Sequence, residues 1–266
     1  MTTRLCFTVD LDRDVNICLP ERPGEAGSID RGNGTEPRFE STLKGLAHLT
    51  DLLNEMGVPC TFFCEGRTIE VIRDYAGLLD GFELGVHGYN HESLIDLERS
   101  EAVSAVHHAV DVIKDVTGRS PLSFRAPYMN VPDASYLLKG TGIRVDSSTY
   151  AQAGDCVPYD LPGGITEIPV AEDVDANGRK ISAYLWPMHE GKRDPLDYAG
   201  IVPHVPENGV FVLADHTWHL VESRKNGVMN ADEVASNVER TREALQAVLD
   251  TGCEAVTVSQ AARSVR

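Results

Sequence analysis

Short apolar runs alternate along the chain with longer stripes of apolar residues at helical spacing, and several runs end in a polar cluster. Residues 5–9, apolar except for Thr8, have the length and β-branched or aromatic content of a first buried strand. Leu43, Leu46, Leu49, Leu53 and Met56 then recur every three or four positions. That spacing puts side chains on one face of a helix, and Gly57 stands where a left-handed C-cap belongs. Residues 58–63 predict a second strand, 69–79 a helix and 82–86 a third strand. Val103, Val106, Val110 and Ile113 mark the next helix, which ends near Gly118. Short strands are expected at 122–124, 143–145, 165–170 and 181–186, then a strand at 210–213, a helix at 231–249 and a strand at 255–258. Repeated strand–helix units favour a parallel sheet, closed or open, in a single α/β domain over residues 1–266. Two stretches break the rhythm. Residues 13–37 are rich in Gly, Pro and charge and read as a rim loop too polar for the core. Residues 151–208 read as an irregular insert.

Charge narrows the partners. Acidic residues outnumber basic ones 41 to 24, for a formal net charge of -17 over 266 residues. Such a surface repels phosphate backbones, so nucleic acid is not an expected partner. The N-terminal residues lack the apolar core of a signal peptide, and no apolar run reaches bilayer length. The six cysteines have no disulfide-framework spacing, and Cys60 and Cys64, on one face of a strand, are expected as buried free thiols. The expectation is a cytoplasmic enzyme with no membrane span, acting on a small molecule or glycan. The sequence is silent on oligomeric state.

The polar clusters carry the chemistry. Asp10 and Asp12 sit at the end of the first strand, where period-two alternation sends both carboxylates to one side. One can bind a metal while the other stays free as a base, although Asp12-Arg13-Asp14 would also simply open a polar loop. His87 and His91 follow the strand at 82–86, with Gly85 and Gly88 removing bulk on either side of His87. Two imidazoles and one carboxylate form an open site for zinc or a similar divalent ion. Arg125-Ala126-Pro127-Tyr128 follows another strand, and its arginine could orient a carboxylate base. Asp146, with Tyr150 four residues on, is a further strand-end acid; a plain salt bridge remains an equal reading for it and for Arg125. The apolar run at 210–213 delivers Asp215, His216, Trp218 and His219 to the same kind of rim, and a histidine beside a carboxylate suits general acid work. His48, His107 and His108 read as surface or packing histidines, and Trp186, His189 and His204 as structural rim groups.

In order and residue type these clusters resemble the polysaccharide deacetylase family (carbohydrate esterase family four, the nodulation-deacetylase homology domain). The stretch Cys60-Thr61-Phe62-Phe63-Cys64-Glu65-Gly66 is similar to the family's Ala-Thr-Phe-Phe-x-x-Gly strand, and Ile165 to Val170 to its Glu-Ile-Pro strand. The resemblance implies a distorted, seven-stranded (β/α) barrel with its active site at the strand C-termini. It implies Asp10 as catalytic base, and Asp12, His87 and His91 as ligands of one divalent metal, zinc first, with cobalt or nickel as substitutes. It further implies Arg125 as holder of the base, the Tyr128 N–H as an oxyanion donor, and Asp146 as the carboxylate that tunes the acid. Three features depart from the family's commonest pattern. Leu11 separates two aspartates that are usually adjacent, as in divergent members. Tyr150 stands where an indole is frequent. A gap-free match puts Asp215 in the acid's place, so His216 is chosen as the acid with a one-residue shift and His219 competes with it. The implied activity is metal-dependent removal of an acetyl group from an N-acetylated sugar or sugar conjugate. The alternatives are hydrolysis of another C–N bond, such as a ureide or cyclic amide in the manner of an allantoinase, and a non-catalytic metal- or sugar-binding protein.

Overall fold

The computed structural model describes residues 3–29, 32 and 34–263. Among them seven strands run parallel: β1 (Arg4–Leu11), β2 (Cys60–Cys64), β3 (Glu83–Val86), β4 (Ser123–Phe124), β5 (Val145–Asp146), β6 (Ile165–Glu167) and β7 (Val210–His216). Their spatial order, β7-β1-β2-β3-β4-β5-β6, is the chain order with the last strand returned beside the first. That cyclic order is the one a (β/α) barrel needs. The ring is not closed by pairing β6 with β7. The strand Val170–Val174 continues beyond β6, and Ala183 N–H donates to Ala171 O on it at 2.8 Å. Ala214 N–H on β7 in turn donates to Ala183 O, and Leu185 N–H to Ala214 O, both at 2.8 Å. The barrel is therefore distorted at this seam, which the segment 183–185 fills.

Three long helices pack outside the sheet: α1 (Glu40–Met56), α2 (Arg99–Thr117) and α3 (Ala231–Leu249). The predicted stripes face inward, with Leu46, Leu49 and Leu53 of α1 and Val106, Val110 and Ile113 of α2 buried in the apolar core shared with the strands. Gly57 and Gly118 adopt left-handed φ of 65° and 69° and end α1 and α2 as expected. At Gly45 on α1 a Cβ would lie 1.8 Å from the Thr217 carbonyl oxygen, so only glycine lets this helix approach the chain just beyond β7.

Several expected elements shift. The helix expected at 69–79 is an α-helix over Gly66–Val71 followed by a 3₁₀ turn over Arg73–Leu79. The strand expected at 181–186 covers only Lys180–Ser182, and Trp186–His189 is a short helix with Pro187 in its first turn. At 255–258 the strand ends at Ala255 and Val258–Arg263 is helical. In each case a short apolar run fits either period. The larger correction concerns residues 13–37. They include a hairpin of Asn16–Cys18 with Ala26–Ser28, and Arg13, Asp14 and Val15 are buried rather than on a rim. The charges are tolerated because they are paired. Arg13 donates to Glu65 from N and Nε at 2.8 and 2.9 Å, and Asp14 accepts the Ser41 and Thr42 N–H groups that open α1, at 3.0 and 2.7 Å.

Candidate metal centre and active-site cleft

An open cleft of about 150 Å³ lies where the C-terminal ends of β1, β3, β4 and β7 meet. Asp10, His87, His91 and His216 line it, with Tyr128, Met129, Tyr150, Tyr184 and Trp186 among its walls. β1 supplies the carboxylates. Thr8, Asp10 and Asp12 are two residues apart and all buried, and Thr8 and Asp10 both bond the same guanidinium. The turn after β1 is held on both sides, by Arg13 on Glu65 and by Asp14 on the N-terminus of α1. Asp12 is thereby fixed in position before any ligand arrives.

One ligand atom each from Asp12, His87 and His91 lies within 4.8 Å of the others, and all three residues are buried. Two observations test whether a cation fits. Asp12 Oδ1 and His91 Nδ1 are buried with no hydrogen-bond partner, a costly state that bound metal would relieve for the carboxylate. The outer contacts also orient the donors. His87 Nδ1 bonds the Arg125 carbonyl at 2.9 Å, which presents Nε2, and Asn16 Nδ2 donates to Asp12 Oδ2 at 2.6 Å. A buried carboxylate with two imidazoles suits zinc or a similar divalent ion, so the residues present fit the group. Burial pushes the Asp12 carboxyl up to about 7; the His216 and His87 imidazoles oppose that rise, while Asp10 and Glu65 add to it. Burial likewise depresses His87, and takes His91 to about 4. Both imidazoles are then neutral at ordinary pH, the form that binds metal.

Backbone strain concentrates here. His91 has φ 54°, and Tyr128 and Met129 each φ 58°, left-handed values that side-chain-bearing residues seldom adopt. Gly88, at φ 69°, lies where a Cβ would meet Glu92 Oε2 at 2.5 Å and Pro127 at 3.1 Å. The Tyr128 ring meets His91 edge-on, with centroids 4.5 Å apart.

Asp10 is outside the Asp12, His87 and His91 cluster. Its Oδ1 accepts from Arg125 Nη1 at 2.9 Å, and its Oδ2 accepts the Tyr184 hydroxyl. Arg125 is fully buried and fixed in turn. It donates to Ser147 O at 3.0 Å, Thr8 Oγ1 at 3.0 Å and Ser147 Oγ at 3.2 Å, and lies 4.3 Å over the Phe63 ring. Burial alone would raise the Asp10 carboxyl, but Arg125, His87, His216 and the Tyr184 hydroxyl together hold it below the usual carboxylate range. It is ionised at neutral pH.

The two late histidines differ sharply. His216 is partly exposed, lines the cleft, and brings Nε2 to 3.9 Å from Asp10 Oδ2. His219 is buried behind it, against Trp218, with Nε2 3.6 Å from Glu190 Oε1. Burial holds the His219 imidazole well below its usual range, despite Glu190. Asp215 accepts from His189 Nε2 at 3.0 Å and from the backbone N–H of His216 at 2.8 Å. Asp146 is buried away from the cleft wall. It accepts the Ser148 hydroxyl, and burial next to Glu167 raises it well above the carboxylate range. Its contacts run through Ser148, whose Oγ accepts Ala126 N–H at 2.8 Å, to the Arg125–Tyr128 turn. The carboxylate facing the His216 ring is that of Asp10.

Tyr184, Asn16, Thr8 and Ser147 join the site without having been singled out from the sequence. Thr8 was legible, being two residues before Asp10 on one strand face. Tyr184 was not, because nothing local reveals that residues 183–185 fill the barrel seam.

Residues 40–145 match the polysaccharide deacetylase family model. That stretch contains His87, His91, Arg125 and Tyr128, while Asp10, Asp12, Asp146 and His216 lie outside it. A peptidoglycan deacetylase of Helicobacter pylori is 26% identical over 179 residues, covering 60% of this chain and 61% of that protein. The chain thus spans about three fifths of the length of that relative, and a third or less of the other curated relatives it matches. A solved structure of a candidate polysaccharide deacetylase from Mycobacterium smegmatis is similar over 100% of this chain and 90% of that one, with TM-score 0.66 and 23% identity. An allantoinase structure is similar over 98% and 89%, with TM-score 0.64 and 14% identity. At these identities the structures speak for the fold.

Proposed function

We propose that the chain is a member of the polysaccharide deacetylase family, as the match over residues 40–145 and the peptidoglycan deacetylase relative support, and that it is a metal-dependent amide hydrolase that removes the acetyl group from an N-acetylated sugar or sugar conjugate. The observation that carries this reading is the separation of two carboxylates at the end of β1: Asp12 in the Asp/His/His cluster, Asp10 outside it and ionised. Asp12, His87 and His91 would hold one divalent ion, which when bound polarises a substrate carbonyl and acidifies a water molecule. Asp10, oriented by Arg125, takes the proton from the attacking water. The backbone N–H of Tyr128, on the turn that lines the cleft, donates to the oxygen on which negative charge develops. His216 gives a proton to the leaving amine; it is the late histidine within reach of the cleft, whereas the buried, neutral His219 supports it from behind. Asp146 acts through Ser148 on the Arg125–Tyr128 turn. Tyr150 and Trp186 offer aromatic walls to an apolar sugar face.

The cleft's small volume, about 150 Å³, favours one second reading, hydrolysis of a compact ureide or cyclic amide. A panel of N-acetylated mono- and oligosaccharides beside cyclic amides and ureides separates the two. Acetate release is expected. Turnover confined to the cyclic amides or ureides contradicts deacetylation, and binding without turnover contradicts hydrolysis altogether.

A further inference from the structure

Tyr184 touches both proton-handling groups of the proposed reaction. Its hydroxyl donates to Asp10 Oδ2, the oxygen that Arg125 leaves free, so each oxygen of that carboxylate has its own donor. Its ring stacks on the His216 imidazole, with centroids 5.3 Å apart and planes 29° from parallel. The side chain itself is fixed. It is 4% exposed, its backbone forms a parallel bridge with Ala214 two residues before His216, and the Tyr198 hydroxyl donates to its carbonyl at 2.9 Å. The ring also lies 5.9 Å from the Arg125 guanidinium carbon. A carboxylate bound through one oxygen still rotates about its Cβ–Cγ bond; a donor on each oxygen fixes its plane. An imidazole with one face covered and one edge open has a single orientation toward the cleft.

We propose that Tyr184 is a positioning residue that sets the plane of Asp10 and the orientation of His216 relative to one another, so that one side chain from the barrel seam aligns base and acid. The proposal rests on the roles given above to Asp10 and His216. Proton transfers depend steeply on alignment, and displacement of a reacting group by about 1 Å costs on the order of 100-fold in rate. The hydroxyl and the ring have separable duties: the first holds Asp10, the second holds His216.

The test uses metal-loaded enzyme with Tyr184→Phe and Tyr184→Ala. Tyr184→Phe keeps the ring and loses the donor; kcat is expected to fall about 10- to 100-fold with KM within about twofold. Metal content and melting temperature should match the wild type. Tyr184→Ala also uncovers His216, whose imidazole C–H resonance should move downfield as the ring-current shift disappears, while Tyr184→Phe leaves that resonance in place. A Tyr184→Phe enzyme with wild-type kcat overturns the proposal, as does a kcat loss that merely tracks lost metal or lost stability. If the wild type releases no acetate, the deacetylase reading fails by itself. The imidazole resonance then decides the Tyr184 proposal, and a His216 signal unmoved in Tyr184→Ala refutes it.

Discussion

His216 and His219 are three residues apart, yet one meets solvent and Asp10 while the other is sealed against Trp218 and Glu190. If His216 is the acid, His216→Ala lowers kcat by about 100- to 10,000-fold, the usual worth of a positioned proton donor. His219→Ala should cost less than about tenfold in kcat and show chiefly as a lower melting temperature, since it removes a buried packing group. Steady-state kinetics on both variants checks this, and the reverse ranking would make His219 the acid. Residue-scale electrostatics also fix a pH dependence. With Asp12 raised to about 7 by burial and His91 at about 4, the carboxyl protonates first as pH falls. Metal must displace that proton, so apparent affinity should drop about tenfold per pH unit below 7 and level off above it. Zinc titrations between pH 5 and 8 measure it; affinity flat across that window would show that Asp12 is not a ligand. Each member of the Asp12, His87 and His91 cluster was visible in the sequence because strand ends present side chains in a fixed sense. The choice between His216 and His219 was not, because it depends on burial beside Glu190, a residue 29 positions from His219.

Element packing aims these residues. Helix α1 meets the chain beyond β7 at Gly45, where a Cβ would come within 1.8 Å of Thr217 O, and the Thr42 and Thr217 hydroxyls bond one another. Helix propensity alone says that Gly45→Ala stabilises by about 1 kcal/mol. The clash is with backbone, so the opposite sign is expected: a loss of about 1–3 kcal/mol, with reduced kcat as the Thr217 backbone and the adjoining His216 are displaced. Urea denaturation reads the sign directly, and a stabilised variant would contradict the close approach. The long helices, and the glycine caps of α1 and α2, were legible because the apolar stripes extend over several turns. The 13–37 stretch misled for a physical reason: Arg13 and Asp14 read as surface charges, and only the fold reveals Glu65 and the α1 N-terminus as their partners. The seam at 183–185 was hidden likewise, since its partners Ala171 and Ala214 lie on strands distant in sequence.

At the scale of the molecule, the seven parallel strands among the described residues converge their C-terminal ends on one cleft, and the chemistry-bearing clusters fall at those ends. The formal charge of -17 does not oppose this assignment; a neutral glycan carries no charge to repel, and a buried Asp/His/His cluster draws cations whatever the surface sign. Among the described residues no helix is long and apolar enough to cross a membrane. In the proposed reaction, one divalent ion at Asp12, His87 and His91 enables amide hydrolysis. The most direct test strips the enzyme with chelator, adds zinc stepwise, and follows acetate release from an N-acetylated sugar together with metal content by plasma spectrometry. Activity should rise to a plateau at about one ion per chain, and the Asp12→Ala and His87→Ala proteins should hold no ion and release no acetate. Full activity in the stripped enzyme, or an undiminished metal content in either variant, would contradict it.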